Sequence, residues 1–191
     1  MKKILVIAGP SAVGKTTVME AILGQTDSFE YIRSATTRAP RGDAFDSEYI
    51  YLSKEEFVDR ISSGGVLEYT EYGGNFYGTP ASEIERIFSD GKIPILILDL
   101  NGVKTLKSTP RDFSVFAVYI TAKRELIERR LYERLSSAGF TNGAYATYEK
   151  RKAQNLADEA RFSDMRALFD LVVENNEISA CAKKIVSSFL S

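Results

Sequence analysis

The segment Gly9-Pro10-Ser11-Ala12-Val13-Gly14-Lys15-Thr16 has the spacing G-x-x-x-x-G-K-[ST] of a loop that cradles phosphate. Gly9 and Gly14 let the backbone turn successive N–H groups toward one point, which a Cβ would obstruct. A helix starting there adds the positive end of its dipole. Lys15 can then reach the β- and γ-phosphates, and the Thr16 hydroxyl can ligate Mg²⁺. A glycine-rich turn that binds nothing would share the spacing, but the flanks argue against it. Ile4-Leu5-Val6-Ile7-Ala8 is a short apolar run expected of a buried parallel strand. Val18, Ala21 and Ile22 then recur at helical spacing. The residues imply binding of a nucleoside triphosphate.

A second constellation lies between residues 33 and 79. Arg38 and Arg41 share a short polar loop, and two guanidinium forks there can clamp another phosphate. Tyr49 and Tyr77 can each add a phenolic hydroxyl to it. Glu68 can accept from paired N–H groups such as guanine N1–H and the exocyclic amine, with the Ser34 and Thr79 hydroxyls on the remaining base edge. Taken singly, an exposed Arg is solvated surface, a Tyr on a hairpin is packing, and a Glu faces water. Their weight comes from arriving together in one segment.

The elements that must hold these residues follow from periodicity and turn chemistry. Ser53 with Glu56 forms a capping box that opens a helix, and Gly64-Gly65 stops it. Residues 66–72, then Gly73-Gly74-Asn75, then Phe76-Tyr77 read as a β-hairpin. Thr79 and Pro80 read as N-cap and first residue of the next helix. Residues 93–98 and 113–120 are apolar strands, with a helix over about 102–107 between them. Helical spacing covers 125–135 and about 148–169, separated by a small-residue stretch at 136–144. Residues 171–173 read as a last strand and 178–190 as a closing helix. The expectation is an α/β fold: a parallel sheet with helices on both faces, a small mostly β insert, and a helical lid. As a division of one domain over 1–191, the core takes 1–32, 80–124 and 170–191, the insert 33–79, and the lid 125–169. Ligands then belong beyond the carboxyl ends of the strands.

Composition narrows the chemistry. The 191 residues are 44% hydrophobic and 27% charged, with a formal net charge of −1. No global basic field argues for a nucleic-acid polymer or an anionic membrane. No apolar run approaches a membrane span, and the N-terminal apolar run is too short for a signal-peptide core. The expected compartment is the cytoplasm. The single cysteine, Cys181, excludes an internal disulfide framework and sits in an apolar-periodic stretch, as a core residue would. Histidine is absent, which removes Ser–His and Cys–His catalysis and histidine metal sites. Phosphoryl transfer survives that exclusion, because it depends on positioning and charge neutralisation.

At these motifs the chain resembles the guanylate kinase family. The stretches GPSAVGKTT, Ser34-Ala35-Thr36-Thr37-Arg38-Ala39-Pro40-Arg41, Glu68-Tyr69, Gly74-Asn75-Phe76-Tyr77-Gly78-Thr79 and Leu98-Asp99-Leu100-Asn101-Gly102 carry the resemblance. It runs from residue 3 to about 134, and more loosely to Asn175. It implies that Gly9, Ser11, Ala12, Val13, Gly14, Lys15, Thr16 and Thr17 bind ATP with Mg²⁺. By the same resemblance Ser34, Glu68, Thr79 and Asp99 hold guanine, while Arg38, Arg41, Tyr49 and Tyr77 hold the GMP phosphate. Arg130 and Arg134 match lid-edge arginines, Arg151 an arginine on the helix returning from the lid, and Asn175 an asparagine near the adenine. Lys15, Arg38, Arg130, Arg134 and Arg151 are the implied catalytic set. The chain departs from the pattern in a shorter Gly42-Asp43 stretch, in Ile97 where an acid often stands, and in a longer lid opened by Arg134-Leu135-Ser136 rather than Arg-Gly-Thr.

The expected activity is ATP-dependent phosphorylation of GMP to GDP, possible also with dGMP, with ATP and GMP as the small-molecule partners. Two other readings share the fold: a kinase for another phosphorylated acceptor such as ribose 1,5-bisphosphate, and a non-catalytic phosphopeptide-binding module. The first would leave Glu68, Thr79 and Asp99 without a base to recognise. The second would have no use for Lys15 and Thr16.

Overall fold

The computed structural model describes residues 2–40, 42 and 44–191. Its larger sheet has the order β2-β7-β1-β8-β9, with every neighbouring pair parallel. The strands are β1 (Lys2–Ala8), β2 (Phe29–Tyr31), β7 (Ile93–Ile97), β8 (Phe113–Thr121) and β9 (Leu171–Glu174). The central strand shows why a continuous apolar run was needed. Leu5 and Ile7 pack on one side, with residues of α1 (Lys15–Leu23) and α7 (Ile178–Leu190). Ile4, Val6 and Ala8 pack on the other, with residues of α3 (Ala81–Ser89) and α4 (Leu100–Ser108). All five are fully buried, so neither face tolerates a polar residue. Cys181 lies in the first of these cores, and burial pushes its thiol up to about 11, which leaves it an inert apolar filler.

A second, mixed sheet has the order β4-β3-β6-β5. It comprises β3 (Ser34–Thr36), β4 (Tyr49–Tyr51), β5 (Val66–Tyr72) and β6 (Asn75–Pro80). The helix α2 (Lys54–Ser62) covers it, and both halves of the Ser53–Glu56 capping box form. Phe57 of α2 is fully buried beneath the sheet and stacks on Phe76, with ring centroids 5.4 Å apart. Burying one such ring contributes roughly 1.5–3 kcal/mol, a large share for a core this small.

Several element boundaries differ from expectation, the following ones for a local reason. The hairpin turn is the two residues Gly73-Gly74, at φ 60 and 77, which matches strand twist, so Asn75 already pairs with Tyr72. Thr79 and Pro80 belong to β6 and not to the next helix: Val66 pairs with Pro80, and Pro80 caps α3 without a side-chain hydrogen bond. Helix α4 starts two residues early, because Asp99 is its N-cap and accepts from Gly102 N at 2.7 Å. The gap between the two long helices is also shorter. Helix α5 (Arg124–Ser137) runs on past the buried Leu135, and α6 (Asn142–Met165) starts early because Thr141 caps it through Ala144 N.

Candidate active site

The carboxyl ends of β1, β7 and β8 converge where the chain switches from one side of β1 to the other, the crevice that α/β sheets leave for ligands. Gly9 leaves β1 at φ 148, and an added Cβ would lie 2.4 Å from the Ile120 carbonyl oxygen of β8. The loop therefore passes so close to the sheet that only glycine fits. Helix α1 then begins at Lys15 with neither a side-chain cap nor an acidic residue in its first turn, and Thr16 and Thr17 are exposed there. Its first amides have no acceptor within the helix, so they form an open anion site.

Lysine and arginine side chains converge on this loop. Lys15 Nζ donates to the carbonyls of Gly9 at 2.8 Å and Pro10 at 2.9 Å. Arg130 of α5 donates to the carbonyls of Val13 at 3.0 Å and Ala12 at 3.4 Å. Burial lowers Lys15 to about 8; Arg134 and Arg151 lower it further, while Asp158 opposes them. Burial, Arg151 and Arg130 likewise lower the Arg134 guanidinium. A gathering of four cations, opposed at Lys15 by Asp158, is costly alone and favourable around a polyphosphate. Beside it a cavity of about 290 Å³ is lined by Ala12, Gly14, Thr17, Arg130, Arg134 and Asn175. Asn175 is 1% exposed and donates to the Val13 carbonyl at 2.9 Å, leaving its own Oδ1 buried without a partner among the described residues.

The second constellation lies on the smaller sheet. The Thr36 hydroxyl donates to the Phe76 carbonyl at 2.9 Å and accepts from Arg38 N at 3.1 Å, while Thr37 Oγ1 accepts from Phe76 N at 2.9 Å. These bonds fix where the chain leaves β3, and with it Arg38. The Arg38 guanidinium pairs with Asp46 at 3.4 Å and lies 5.2 Å from the centre of the Tyr49 ring. Tyr51 O–H also bonds Asp46, and Tyr77 meets Tyr49 edge-on with centroids 6.2 Å apart. Ser34 stands opposite Tyr49 in the strand register. Arg41 lies outside the described residues.

Glu68, Thr79 and Asp99 come together at the other end of this sheet. Glu68 is 7% exposed, and Thr79 Oγ1 donates to its Oε1 at 2.6 Å. A Cβ on Gly102 would lie 3.0 Å from Oε2, so the start of α4 closes against the carboxylate. Burial pushes Glu68 up to about 7, with Asp99 adding to the rise and the Thr79 hydroxyl opposing it. No described cation forms an ion pair with it. A buried carboxylate left without a cation is an acceptor waiting for donors.

Two contacts at these sites were absent from the reading of the sequence. Asp46 holds Arg38, and nothing local distinguishes it from the other acids of its loop. Asn155 of α6 binds both backbone groups of Ser11. Its position one turn after Arg151, on the same helix face, was an available signal. The same helix reaches the β5–β6 hairpin, where Lys150 Nζ lies 4.3 Å from the Tyr72 ring centre.

Known proteins match this arrangement across its whole length. The guanylate kinase family model covers residues 1–191. The guanylate kinase of Prochlorococcus marinus is 32% identical over 190 residues, covering 97% of each chain. That of Bacillus subtilis is 34% identical over 191 residues, covering 98% of this chain and 88% of its own. The crystal structure of guanylate kinase from Anaplasma phagocytophilum aligns with a TM-score of 0.63 at 25% identity, over 97% of this chain and 83% of that one. With the motifs and the two-sheet architecture agreeing, the chain belongs to the guanylate kinase family.

Proposed function

We propose that this chain transfers the γ-phosphoryl group of MgATP to GMP, giving ADP and GDP. The observation that carries the reading is the buried Glu68 carboxylate, held by Thr79 and, among the described residues, left without a cation. Guanine offers N1–H and an exocyclic amine side by side, the donor pair such a carboxylate needs. Asp99 adds a second acceptor, since its capping bond to Gly102 uses one lone pair of Oδ1. Ser34 completes the base edge, and Arg38, Arg41, Tyr49 and Tyr77 take the GMP phosphate.

On the donor side, the residues from Gly9 to Thr17 cradle the triphosphate, and Asn175 with its free Oδ1 meets the adenine. Mg²⁺ carried in on ATP would be met by the exposed Thr16 hydroxyl. It supplies neutralisation of phosphate charge when bound. Lys15 swings from the loop carbonyls onto the β- and γ-phosphates. Arg38 holds the acceptor oxygen in line, and Arg130, Arg134 and Arg151 stabilise the charge spread over the transferring group. No side-chain base is required, because the acceptor phosphate oxygen is already anionic at neutral pH. On this reading residues 33–79 act as the GMP-binding insert and 125–169 as the lid, which excludes water from the transfer.

Glu68→Gln tests the reading, because the amide must present an N–H₂ to a guanine donor. A site built to pair polar groups loses about two or more decades of GMP turnover on such a change, and AMP stays a poor substrate. Wild-type efficiency with GMP in this variant would sink the guanine assignment.

A further inference from the structure

Ser11 follows Pro10, which has no N–H, and its own N–H and carbonyl find partners outside the loop. Both are taken by one side chain, 144 residues away in sequence. Ser11 N–H donates to Asn155 Oδ1 at 2.6 Å, and Asn155 Nδ2 donates to the Ser11 carbonyl at 3.1 Å. A carboxamide has the donor–acceptor geometry of a peptide group, so the pair resembles one rung of a β-ladder. The next residue shows why such a rung is needed. Ala12 has φ 65, a left-handed conformation that a Cβ disfavours, and it is buried where it cannot relax toward solvent. The local preference of the chain therefore opposes the shape of the phosphate loop, and an external contact must hold it. Asn155 lies on α6 between Arg151 and Asp158, both of which act on the charge of Lys15. One helix face thus sets both the backbone of the loop and its field.

We propose that Asn155 is a positioning residue for the donor nucleotide. By pairing with both backbone groups of Ser11, it holds the strained Ser11-Ala12 stretch in its phosphate-binding shape and seats Arg151 against the loop. This rests on the reading of the loop as the ATP site. The side chain touches neither substrate. It acts through the loop, so its loss falls on ATP and spares GMP, which binds to another sheet.

The test uses the full chain and four variants: Asn155→Ala, Asn155→Asp, Ala12→Gly, and Asn155→Ala combined with Ala12→Gly. MgATP affinity is measured by calorimetry without GMP, alongside KM for each substrate, kcat and the thermal midpoint. Asn155→Ala should weaken MgATP about tenfold, the order expected for two lost hydrogen bonds, and raise KM for ATP in parallel. KM for GMP and the midpoint should hardly move. Asn155→Asp should be worse than Asn155→Ala, because it sets a carboxylate against the Ser11 carbonyl and near the phosphates. Glycine adopts positive φ without penalty, so Ala12→Gly should restore at least about threefold of the lost affinity in the double variant. Unchanged MgATP affinity in Asn155→Ala, or equal losses for ATP and GMP with a fallen midpoint, would overturn the proposal. So would a double variant no better than Asn155→Ala. If the wild-type chain bound no MgATP, the ATP reading of the loop would fall with it; wild-type binding that Asn155→Ala leaves intact overturns the role of Asn155 alone.

Discussion

At the scale of single residues, Glu68 and Lys15 have their protonation displaced in opposite senses. Glu68 is pushed up to about 7 by burial, so its neutral form is favoured in the empty fold. Its contribution to folding stability is full below the ordinary carboxylate range and is lost as pH rises through about 7. Guanine binding has the opposite sign, because N1–H and the amine need the carboxylate form. Lys15 is lowered to about 8, chiefly by burial, and its charged form is the one that pairs with phosphates. Its lowered value costs stability below about 8, a cost relieved as the group deprotonates. Two limbs follow. GMP affinity should fall as pH drops below about 7, by up to about tenfold per unit, and MgATP affinity should fall as pH rises above about 8. The GMP phosphate itself titrates near pH 6, so Glu68→Gln is the control: it should keep only that phosphate-borne slope. Titration calorimetry of each nucleotide between pH 5.5 and about 9 reads both limbs. Identical GMP profiles in the two proteins would remove Glu68 from the base site.

At the scale of elements, what could be read from the chain was whatever is local in it. The phosphate loop is eight consecutive residues, the capping box spans four, and the Gly73-Gly74 turn is two. Each was legible because its residue types and spacing lie within one short stretch, even where, as in the phosphate loop, Asn155 and Asn175 complete the hydrogen bonding from elsewhere. Thr79 was misassigned for the converse reason: Thr-Pro is good cap chemistry until Glu68, on the paired strand, claims the hydroxyl. Asp46 is one acid among several in its polar loop, so nothing local marks it as the partner of Arg38, and the partner of Asn155 lies 144 residues away, with only its spacing of one turn from Arg151 as a signal. The extent of α5 and α6 was underestimated because small residues at 136–144 resemble a loop. Leu135 is buried and Thr141 caps α6, so tertiary packing overrode propensity. Helix α5 carries Arg130 to the phosphate loop and Arg134 to the cavity beside it. If that placement serves transfer, Arg130→Ala and Arg134→Ala should each lower kcat by at least about tenfold, with GMP affinity in the absence of ATP unchanged. Arg130→Ala should also raise KM for ATP, because it removes the bonds to the Ala12 and Val13 carbonyls. Near-wild-type kcat in both variants would mean that α5 does not serve the transferring group.

At the scale of the whole molecule, the parallel sheet and its helices carry the phosphate loop at the sheet's carboxyl edge. On the proposed reading the mixed sheet builds the acceptor side from separate residues, and α6 touches the phosphate loop through Asn155 and the β5–β6 hairpin through Lys150. Two sites on different sheets explain why one fold can be specific for a base at one end while leaving phosphate transfer to shared machinery at the other. They also make the choice of acceptor the most exposed part of the account, since fold alone does not fix substrate. The direct measurement is ADP release in a coupled assay with MgATP and, in turn, GMP, AMP, CMP, UMP and ribose 1,5-bisphosphate. The account predicts turnover with GMP and kcat/KM lower by about two or more decades for every other acceptor. Turnover of ribose 1,5-bisphosphate at a rate matching GMP, or no acceptor-dependent ADP release at all, would contradict it.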